Sequence, residues 1–303
     1  MNAQHSGMAQ SAKIGLFAIL LVWISSPLTV PIVKILKTDF SAEELLFVRS
    51  FFGLTLSLII ARSRVITTDW RLKLAGVIIS FSSIAFYRAI QIWDINPVMM
   101  ILTLIPVVNM VSAVITGRKI SYIVIISFLI LLCGIMMALN PWGQGINVKG
   151  LLLALTCVIL GGIGYEIWGR VAKETTISEM CFWMALPLTL STPVIILTSQ
   201  LPYDIEKFSN IRSLWLLLLL GVINGIVYIY ANIIPFNRVG KTNTVVATVL
   251  LQGGTPCTMI GSYYFVHETL SPSQWSGVAI ALIGAAILSG WLAWKPKQNS
   301  QAA

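Results

Sequence analysis

Residues 221–288 decide the fold, and they read GVINGIVYIYANIIPFNRVGKTNTVVATVLLQGGTPCTMIGSYYFVHETLSPSQWSGVAIALIGAAIL. Apolar stretches in this sequence are separated by two short polar turns, one at Arg238 to Lys241 and one at His267 to Ser271. About 20 consecutive apolar residues span the ~30 Å hydrocarbon core of a bilayer. Apolar stretches of that length, joined by turns this short, predict consecutive membrane-spanning helices.

The rest of the chain has the same character. Of 303 residues, 57% are hydrophobic and 10% are charged, whereas soluble proteins average roughly 25% charged residues. We therefore predict an all-α integral membrane protein with ten transmembrane helices. The predicted spans lie near residues 14–33, 44–61, 74–94, 97–116, 121–140, 150–169, 180–199, 214–235, 244–265 and 275–294.

The two halves of the chain resemble each other. A shift of 136 positions places Lys13, Leu16, Ala18, Lys37 and Glu43 on Lys149, Leu152, Ala154, Lys173 and Glu179. A shift of 150 places Pro106, Ser112, Ser121 and Gly134 on Pro256, Ser262, Ser271 and Gly284. Because a unit of five spans is odd, the second copy must be inverted, as in many secondary transporters. We expect a tail at 1–13, repeats at 14–140 and 150–294, and a tail at 295–303.

Lys and Arg indicate the orientation, since cytoplasmic loops carry an excess of them. The loops on one side of the ten predicted spans hold most of these residues, and the other side holds only Lys34, Lys37, Lys149, Lys207 and Arg212. This bias predicts a multi-pass protein of the inner (plasma) membrane with both termini in the cytoplasm. Basic loops facing an anionic leaflet also explain the net charge of +9 without a nucleic-acid partner.

Sequence patterns for cofactors, metals and catalysis are missing. Cys133, Cys157, Cys181 and Cys257 fall inside apolar spans without metal-binding spacing, and the chain has two histidines. A Gly-Lys-Ser/Thr phosphate loop is absent, which argues against ATP-driven pumping by this chain. We expect no cofactor, no metal and no enzymatic activity.

Residues 221–288 resemble the second repeat of EamA-type transporters of the drug/metabolite transporter superfamily. The likeness rests on the Arg238-Val239-Gly240-Lys241 turn, the His267-Glu268-Thr269-Leu270-Ser271 turn, and Gly277, Leu282, Ile283 and Gly284 in the last span. In the first half, Trp23, Phe47-Val48-Arg49 and Ile105-Pro106 match the same pattern. The chain departs from it at His267, where the family prefers glycine, and Gly117-Arg118-Lys119 lacks the acid that Glu268 supplies. Glu268 is therefore not assigned a coupling role.

The resemblance implies a central cavity lined by the first, third, fourth, sixth, eighth and ninth spans. Polar residues inside the predicted spans concentrate in the same set. The candidate substrate-binding residues are Trp23, Tyr87, Arg88, Gln91, Glu166, Asn224, Tyr228 and Gln252.

Charged residues within spans are costly and need an explanation. Glu166 is either a site for a cation or proton, or a salt-bridge partner of Arg170 at i+4. Arg88 either anchors a carboxylate or phosphate or extends to the lipid headgroups. For Arg49 we favour a structural ion pair with Glu43 and Glu44.

Proline and glycine interrupt corresponding spans of the two halves, and such interruptions point to a binding site. We expect Pro27, Pro106, Gly253 and Pro256 to act in gating.

Together these features predict a secondary transporter that moves a small organic metabolite by alternating access. The resemblance to EamA-type transporters implies a substrate such as an amino acid, a nucleobase-type compound or an amphipathic drug. The alternative is a flippase, or an accessory subunit, for a lipid-linked intermediate. The expected partners are the substrate and membrane lipids, with a monomer or a homodimer as the assembly.

Overall fold

The structure is a computed structural model that describes residues 2–61, 69–118, 120–139, 147–172, 174–198, 210–238 and 244–301. Within these ranges the chain forms helices joined by short turns, without any strand. The ends of both predicted tails, at residue 1 and at residues 302 and 303, lie outside the described residues. So does most of the turn predicted at Arg238 to Lys241.

The helices overlap the predicted spans, although the fourth, eighth and ninth spans are each divided and the two terminal helices extend into the predicted tails. In the first half they are α1 (Asn2–Ile35), α2 (Ala42–Ala61), α3 (Trp70–Ile92), α4 (Ile95–Leu102), α5 (Ile105–Ile115) and α6 (Tyr122–Leu139). In the second half they are α7 (Val148–Val171), α8 (Ile177–Thr198), α9 (Ile211–Leu220), α10 (Ile229–Arg238), α11 (Thr244–Leu251), α12 (Gly254–Val266) and α13 (Pro272–Gln301). A π-helical segment, Gly221–Tyr228, joins α9 to α10.

Seven helical stretches of the described residues are long and apolar enough to cross a membrane. They are Lys13–Thr38, Trp70–Ile92, Ile95–Ile115, Val148–Val171, Ile177–Leu197, Ile211–Arg238 and Thr244–Val266. Two shorter apolar helices cover Tyr122–Met137 and Pro272–Leu288, and α2 is a further 20-residue helix that carries Glu43, Glu44 and Arg49. The protein is therefore a multi-pass, all-α membrane protein.

Local sequence signals determine where several helices begin. Ser41 and Glu44 form a reciprocal capping box at α2, in which Ser41 N donates to Glu44 Oε2 at 2.8 Å and Glu44 N donates to Ser41 Oγ at 3.2 Å. Thr176 and Glu179 cap α8 in the same way, and Ser271 and Gln274 cap α13. Each box satisfies two backbone N–H groups that the first turn of a helix leaves unpaired.

Close helix contacts hold the bundle together, and small residues make them possible. The main pairs are α6 with α13, α3 with α7, α2 with α8, and α1 with α12. A Cβ atom added at Gly284 would lie 2.7 Å from the backbone N of Leu131, and one at Gly134 would meet the backbone N of Ala281. The small-residue face of α13 thus packs against α6 of the same chain.

Hydrogen bonds between helix ends show that α1 and α7 run in opposite directions. Lys34, near the end of α1, donates to the carbonyl O of Ile90 at 3.1 Å, near the end of α3. Asn147, just before α7, donates to the carbonyl O of Ile92 at 3.0 Å. Helix α7 therefore begins at the end of the bundle where α1 and α3 finish. It ends at the opposite side, where Arg71 of α3 and Glu174 form an ion pair at 2.8 Å.

A left-handed backbone conformation occurs at two of the described residues, Gly117 with φ 68° and His267 with φ 59°. Each follows the last turn of a helix, α5 in one case and α12 in the other, and the two lie 150 positions apart. Glycine adopts this conformation without steric cost, whereas a residue with a Cβ atom is strained by roughly 1 kcal/mol or more. A glycine at position 267, like the one at position 117, would therefore avoid this strain.

We expect His267→Gly to raise the melting temperature of the detergent-purified protein and Gly117→Ala to lower it. The His267 side chain is exposed, and a Cβ atom at Gly117 would have no neighbour within 4 Å. Both substitutions therefore report mainly backbone strain, of about 1 kcal/mol. Thermal unfolding of the two variants beside the wild type checks this, and shifts of the same sign in both would contradict it.

Candidate functional site: a cavity at two helix breaks

A cavity of about 100 Å³ lies inside the bundle. Its wall includes residues from all six spans that were expected to surround a cavity, together with Arg49 of α2 and Met184 of α8. The polar residues of the wall are Ser26, Thr29, Arg49, Ser82, Ser83, Asn224, Asn232, Thr248, Gln252 and Thr255. Ligand sites typically enclose roughly 300–1,000 Å³, so the bundle would have to open further around this cavity to hold a small organic molecule.

The cavity lies where two helices are interrupted. Helix α4 ends at Leu102 and α5 begins at Ile105, while α11 ends at Leu251 and α12 begins at Gly254, and all four of these residues line the cavity. Pro106 and Pro256 follow the breaks within two to four residues. A proline ring clashes with the carbonyl group four positions earlier, which explains why each helix is interrupted there. Backbone that leaves the helical path inside a membrane is tolerated where it faces protein or a water-filled space.

Of the four residues expected to act in gating, three belong to these breaks. Pro106 and Pro256 each lie in the first turn of the following helix, and Gly253 is the residue before α12. Pro27 differs, because α1 passes through Pro27 and Pro31 as one continuous helix. A Cβ atom at Gly261 would lie 2.7 Å from Pro27 Cα, so Pro27 lies at a tight contact between α1 and α12. Whether any of the four moves during function stays a prediction.

Arg49 is the residue that sequence reasoning misplaced. Its side chain lines the cavity and is 4% exposed. The guanidinium carbon lies 5.7 Å from the ring centres of both Tyr87 and Tyr228, at a distance that allows cation–π attraction. Its Nε makes no hydrogen bond. No carboxylate of the described residues forms an ion pair with it.

The expected ion pair of Arg49 with Glu43 and Glu44 is therefore wrong. Glu43 instead binds Arg88 of α3, with Nη2 of Arg88 2.5 Å from Oε1 of Glu43. Residues on one helix face each other at spacings of three or four, whereas Arg49 follows Glu43 by six positions and Glu44 by five. The spacing alone could have shown that Arg49 points away from both acids.

Arg88 lies outside the cavity wall in consequence. Its side chain is 46% exposed and that of Glu43 is 5% exposed, so the pair neutralises a buried carboxylate. Gln91, on the same helix, donates to the carbonyl O of Phe40 at 3.1 Å and also lies outside the wall. The structure thus gives both residues contacts between helices, and neither faces the central space.

Three of the predicted binding residues do share the cavity wall: Asn224, Tyr228 and Gln252. Tyr87 lies behind them, fully buried, and its hydroxyl accepts a hydrogen bond from Nδ2 of Asn224 at 3.0 Å. Asn224 and Tyr228 both belong to the π-helical segment. π-Helical turns are rare and occur frequently at functional sites.

The same segment positions Arg49. A Cβ atom at Gly225 would meet the carbonyl O of Arg49 and would lie 2.9 Å from Cβ of Phe52. Any larger residue at position 225 would push α2 away from the π-helical segment. The glycine thus allows the Arg49 side chain to enter a cavity that α2 otherwise does not line.

Trp23 supports the second break from behind. Its indole Nε1 donates to the carbonyl O of Leu250 at 2.9 Å, in the last turn of α11. A Cβ atom at Gly253 would lie 2.8 Å from the same Nε1 and closer still to the ring carbons. Trp23 is absent from the cavity wall, so its observed role is packing against the interrupted helix.

Glu166 lies in a separate pocket where α7 ends, beside Arg71, Ser112 and Arg170. Its Oε1 accepts hydrogen bonds from Arg118 and, at 2.9 Å, from Nε of Arg170. Of the two alternatives for Glu166, the salt bridge to Arg170 is therefore present, extended by Arg118. Glu166 does not line the central cavity.

Glu268 lies in the turn after α12, which corresponds to the turn of Arg118 after α5 and lies at the opposite end of the bundle. Its Oε1 accepts from the backbone N of Ile95 at 3.1 Å and so caps the start of α4. Burial raises the pKa of Glu268, while the hydrogen bonds from the α4 backbone and the nearby Lys34 act in the opposite direction. This role is structural, and it joins the second half of the chain to a helix of the first.

These features define a helical membrane protein with an internal polar cavity. A family model described as the EamA-like transporter family matches residues 148–290. This match is consistent with an EamA-type transporter of the drug/metabolite transporter superfamily.

A comparison with solved structures finds a similar fold that extends over both halves of this chain. A structure described as "Crystal structure of protein" aligns with a TM-score of 0.70 over 92% of this chain and 97% of that chain, at 16% sequence identity. In all, 29 chains of solved structures match. No curated protein matches the sequence. At this identity the likeness concerns the fold alone.

We expect Gly253→Ala to lower the melting temperature, because the added methyl group overlaps the ring of Trp23. Overpacking of this kind costs about 1–3 kcal/mol. Gly254→Ala is the matched control, since its nearest neighbour would be Oγ of Ser26 at 3.1 Å. Thermal unfolding of both variants checks the prediction, and a second substitution, Trp23→Phe, should restore stability to Gly253→Ala. Equal melting temperatures for the two alanine variants would contradict it.

Proposed function

We propose that this protein is a secondary transporter that moves a small organic metabolite by alternating access, with the central cavity as its substrate site. The observation that carries the proposal is the pair of interrupted helices, which border one cavity from two halves of the chain. Interrupted helices at corresponding positions of two halves are a typical sign of a transporter binding site. The match of residues 148–290 to the EamA-like transporter family model supports the same conclusion.

The proposal includes ten spans arranged as two inverted repeats of five. Thr103 and Gly253, one at each helix break, lie 150 positions apart, and so do the left-handed residues Gly117 and His267. Helices α1 and α7, which correspond under a shift of 136, run in opposite directions. Two inverted halves around a central site can exchange conformations, which opens the site to one side of the membrane and then to the other.

The proposed location is the inner (plasma) membrane, with both termini in the cytoplasm. A fluorescent protein fused to the C-terminus should fold and fluoresce, because this end is cytoplasmic. Alkaline phosphatase inserted between residues 141 and 146 should be active, because the loop after five spans lies outside. Fusions with the two reporters exchanged serve as controls and should be inactive. Phosphatase activity at the C-terminus would contradict the topology.

Alternating access predicts that one position in the cavity reacts from both sides of the membrane. In a variant whose four cysteines are replaced by serine, Ser83→Cys places a thiol in the cavity wall. A membrane-impermeant thiol reagent should label it in right-side-out and in inside-out vesicles. Ser121→Cys, at the turn before α6, is the control and should react from one side only.

Labelling of Ser83→Cys from a single side, under every substrate and pH condition, would contradict alternating access. Such a result, together with tightly copurifying lipid, would instead favour the alternative of a flippase or accessory subunit for a lipid-linked intermediate.

A further inference from the structure

Among the described residues of the central cavity's wall, one charged group lacks a counterion. Of the residues that form its wall, Arg49 alone is ionisable to a cation, and none is Asp or Glu. We infer that the cavity binds singly charged organic anions, and monocarboxylates above all, with the anionic group at the guanidinium of Arg49. This inference rests on the proposed function, because it names the substrate class of the proposed site.

The charge of Arg49 is permanent, since arginine does not lose its proton in proteins. A charge buried without a partner is strongly unfavourable, and arginines inside membrane proteins are accordingly paired or face water. The rings of Tyr87 and Tyr228 offset part of this cost by cation–π attraction. They supply no negative charge, so a bound anion would supply the missing partner.

Other arginines of the described chain show the contrast. Arg71 pairs with Asp69 and Glu174, Arg88 with Glu43, and both Arg118 and Arg170 with Glu166. All four have side chains that are at least one third exposed. Arg49 is far more buried than any of them, yet it has no acid beside it. A buried arginine with a purely structural role would be expected to have an acid beside it.

The rest of the wall limits the ligand to one negative charge. Many of its hydroxyl groups are already bonded to backbone, for example Ser26 Oγ to Val22 O at 2.7 Å and Ser82 Oγ to Cys157 O at 3.0 Å. Because none of the described wall residues is an acid, a cation or the ammonium group of a zwitterion would find no carboxylate among them. Phe86, Tyr165 and Ile79 add apolar surface, which suits an aromatic or aliphatic body attached to the carboxylate.

The test compares ligands of similar size that differ in charge. Thermal-shift measurements on the detergent-purified protein use a panel of aromatic and aliphatic monocarboxylates, each beside its neutral amide and its amine. One such set is phenylacetate, phenylacetamide and phenethylamine. We expect stabilisation by carboxylates and none by the matched amides and amines. A sulfonate of equal size distinguishes a carboxylate site from a general monoanion site.

Arg49→Met should weaken binding of the stabilising carboxylate at least tenfold, whereas Arg49→Lys should retain part of it because the positive charge remains. The matched control is Arg212→Met, which makes the same change on an exposed side chain outside the cavity. Carboxylates that stabilise Arg49→Met as well as they stabilise the wild type would overturn the inference. So would a panel in which no carboxylate binds, or in which amides or amines bind better.

A second measurement requires no ligand. If Arg49 is reserved for a substrate, the ligand-free Arg49→Met variant should melt at or above the temperature of the wild type, because a buried charge without a counterion is gone. A marked fall in the melting temperature would make Arg49 a structural residue and would also overturn the inference.

Counterflow in proteoliposomes separates the anion-site inference from the proposed transport function. Transport of only neutral or cationic compounds would refute the anion site and would leave the transport function supported.

Discussion

Inside a membrane every backbone N–H and C=O group must find its hydrogen-bond partner within the protein, and this constraint governs where the chain can depart from a regular helix. The described spans depart from it at the α4–α5 break, at the α11–α12 break and in the π-helical segment. All three contribute residues to the same cavity. The need to satisfy backbone hydrogen bonds therefore explains why the irregular backbone and the polar wall occur together. Irregular backbone is tolerated only where it faces the interior of the protein, and there it borders the cavity.

The approach of helices at glycine residues determines what enters that space. Gly225 brings the π-helical segment against the backbone of α2 at Arg49, and Gly253 brings α12 against the ring of Trp23. The first contact carries a guanidinium group into a cavity whose other described wall residues are uncharged. The second holds the interrupted helix at its break. Stability and site are thus coupled, because the packing that closes the bundle also presents an arginine that nothing in the described chain neutralises.

Much of this architecture was predictable because it depends on local signals. The apolar spans, the three capping boxes and the positions of the breaks near Pro106 and Pro256 follow from residues close together in the sequence. The charge pairing was not predictable in the same way, since Arg88 of α3 binds Glu43 of α2 and Arg118, in the turn after α5, binds Glu166 of α7. Arg49 is instructive, because its spacing from Glu43 and Glu44 already argued against a pair, while its place in the cavity required the neighbouring helices.

The turns after α5 and α12 correspond by position, yet Arg118 stands in one and Glu268 in the other. One end of the bundle is thus held by two arginines around a glutamate, and the opposite end by a carboxylate that caps a helix near a lysine. A carrier made of two identical inverted halves would favour neither side of the membrane. If the protein alternates as proposed, the unlike charges at the two ends of the bundle would give its inward-open and outward-open states unequal free energies, so that one state would predominate at rest.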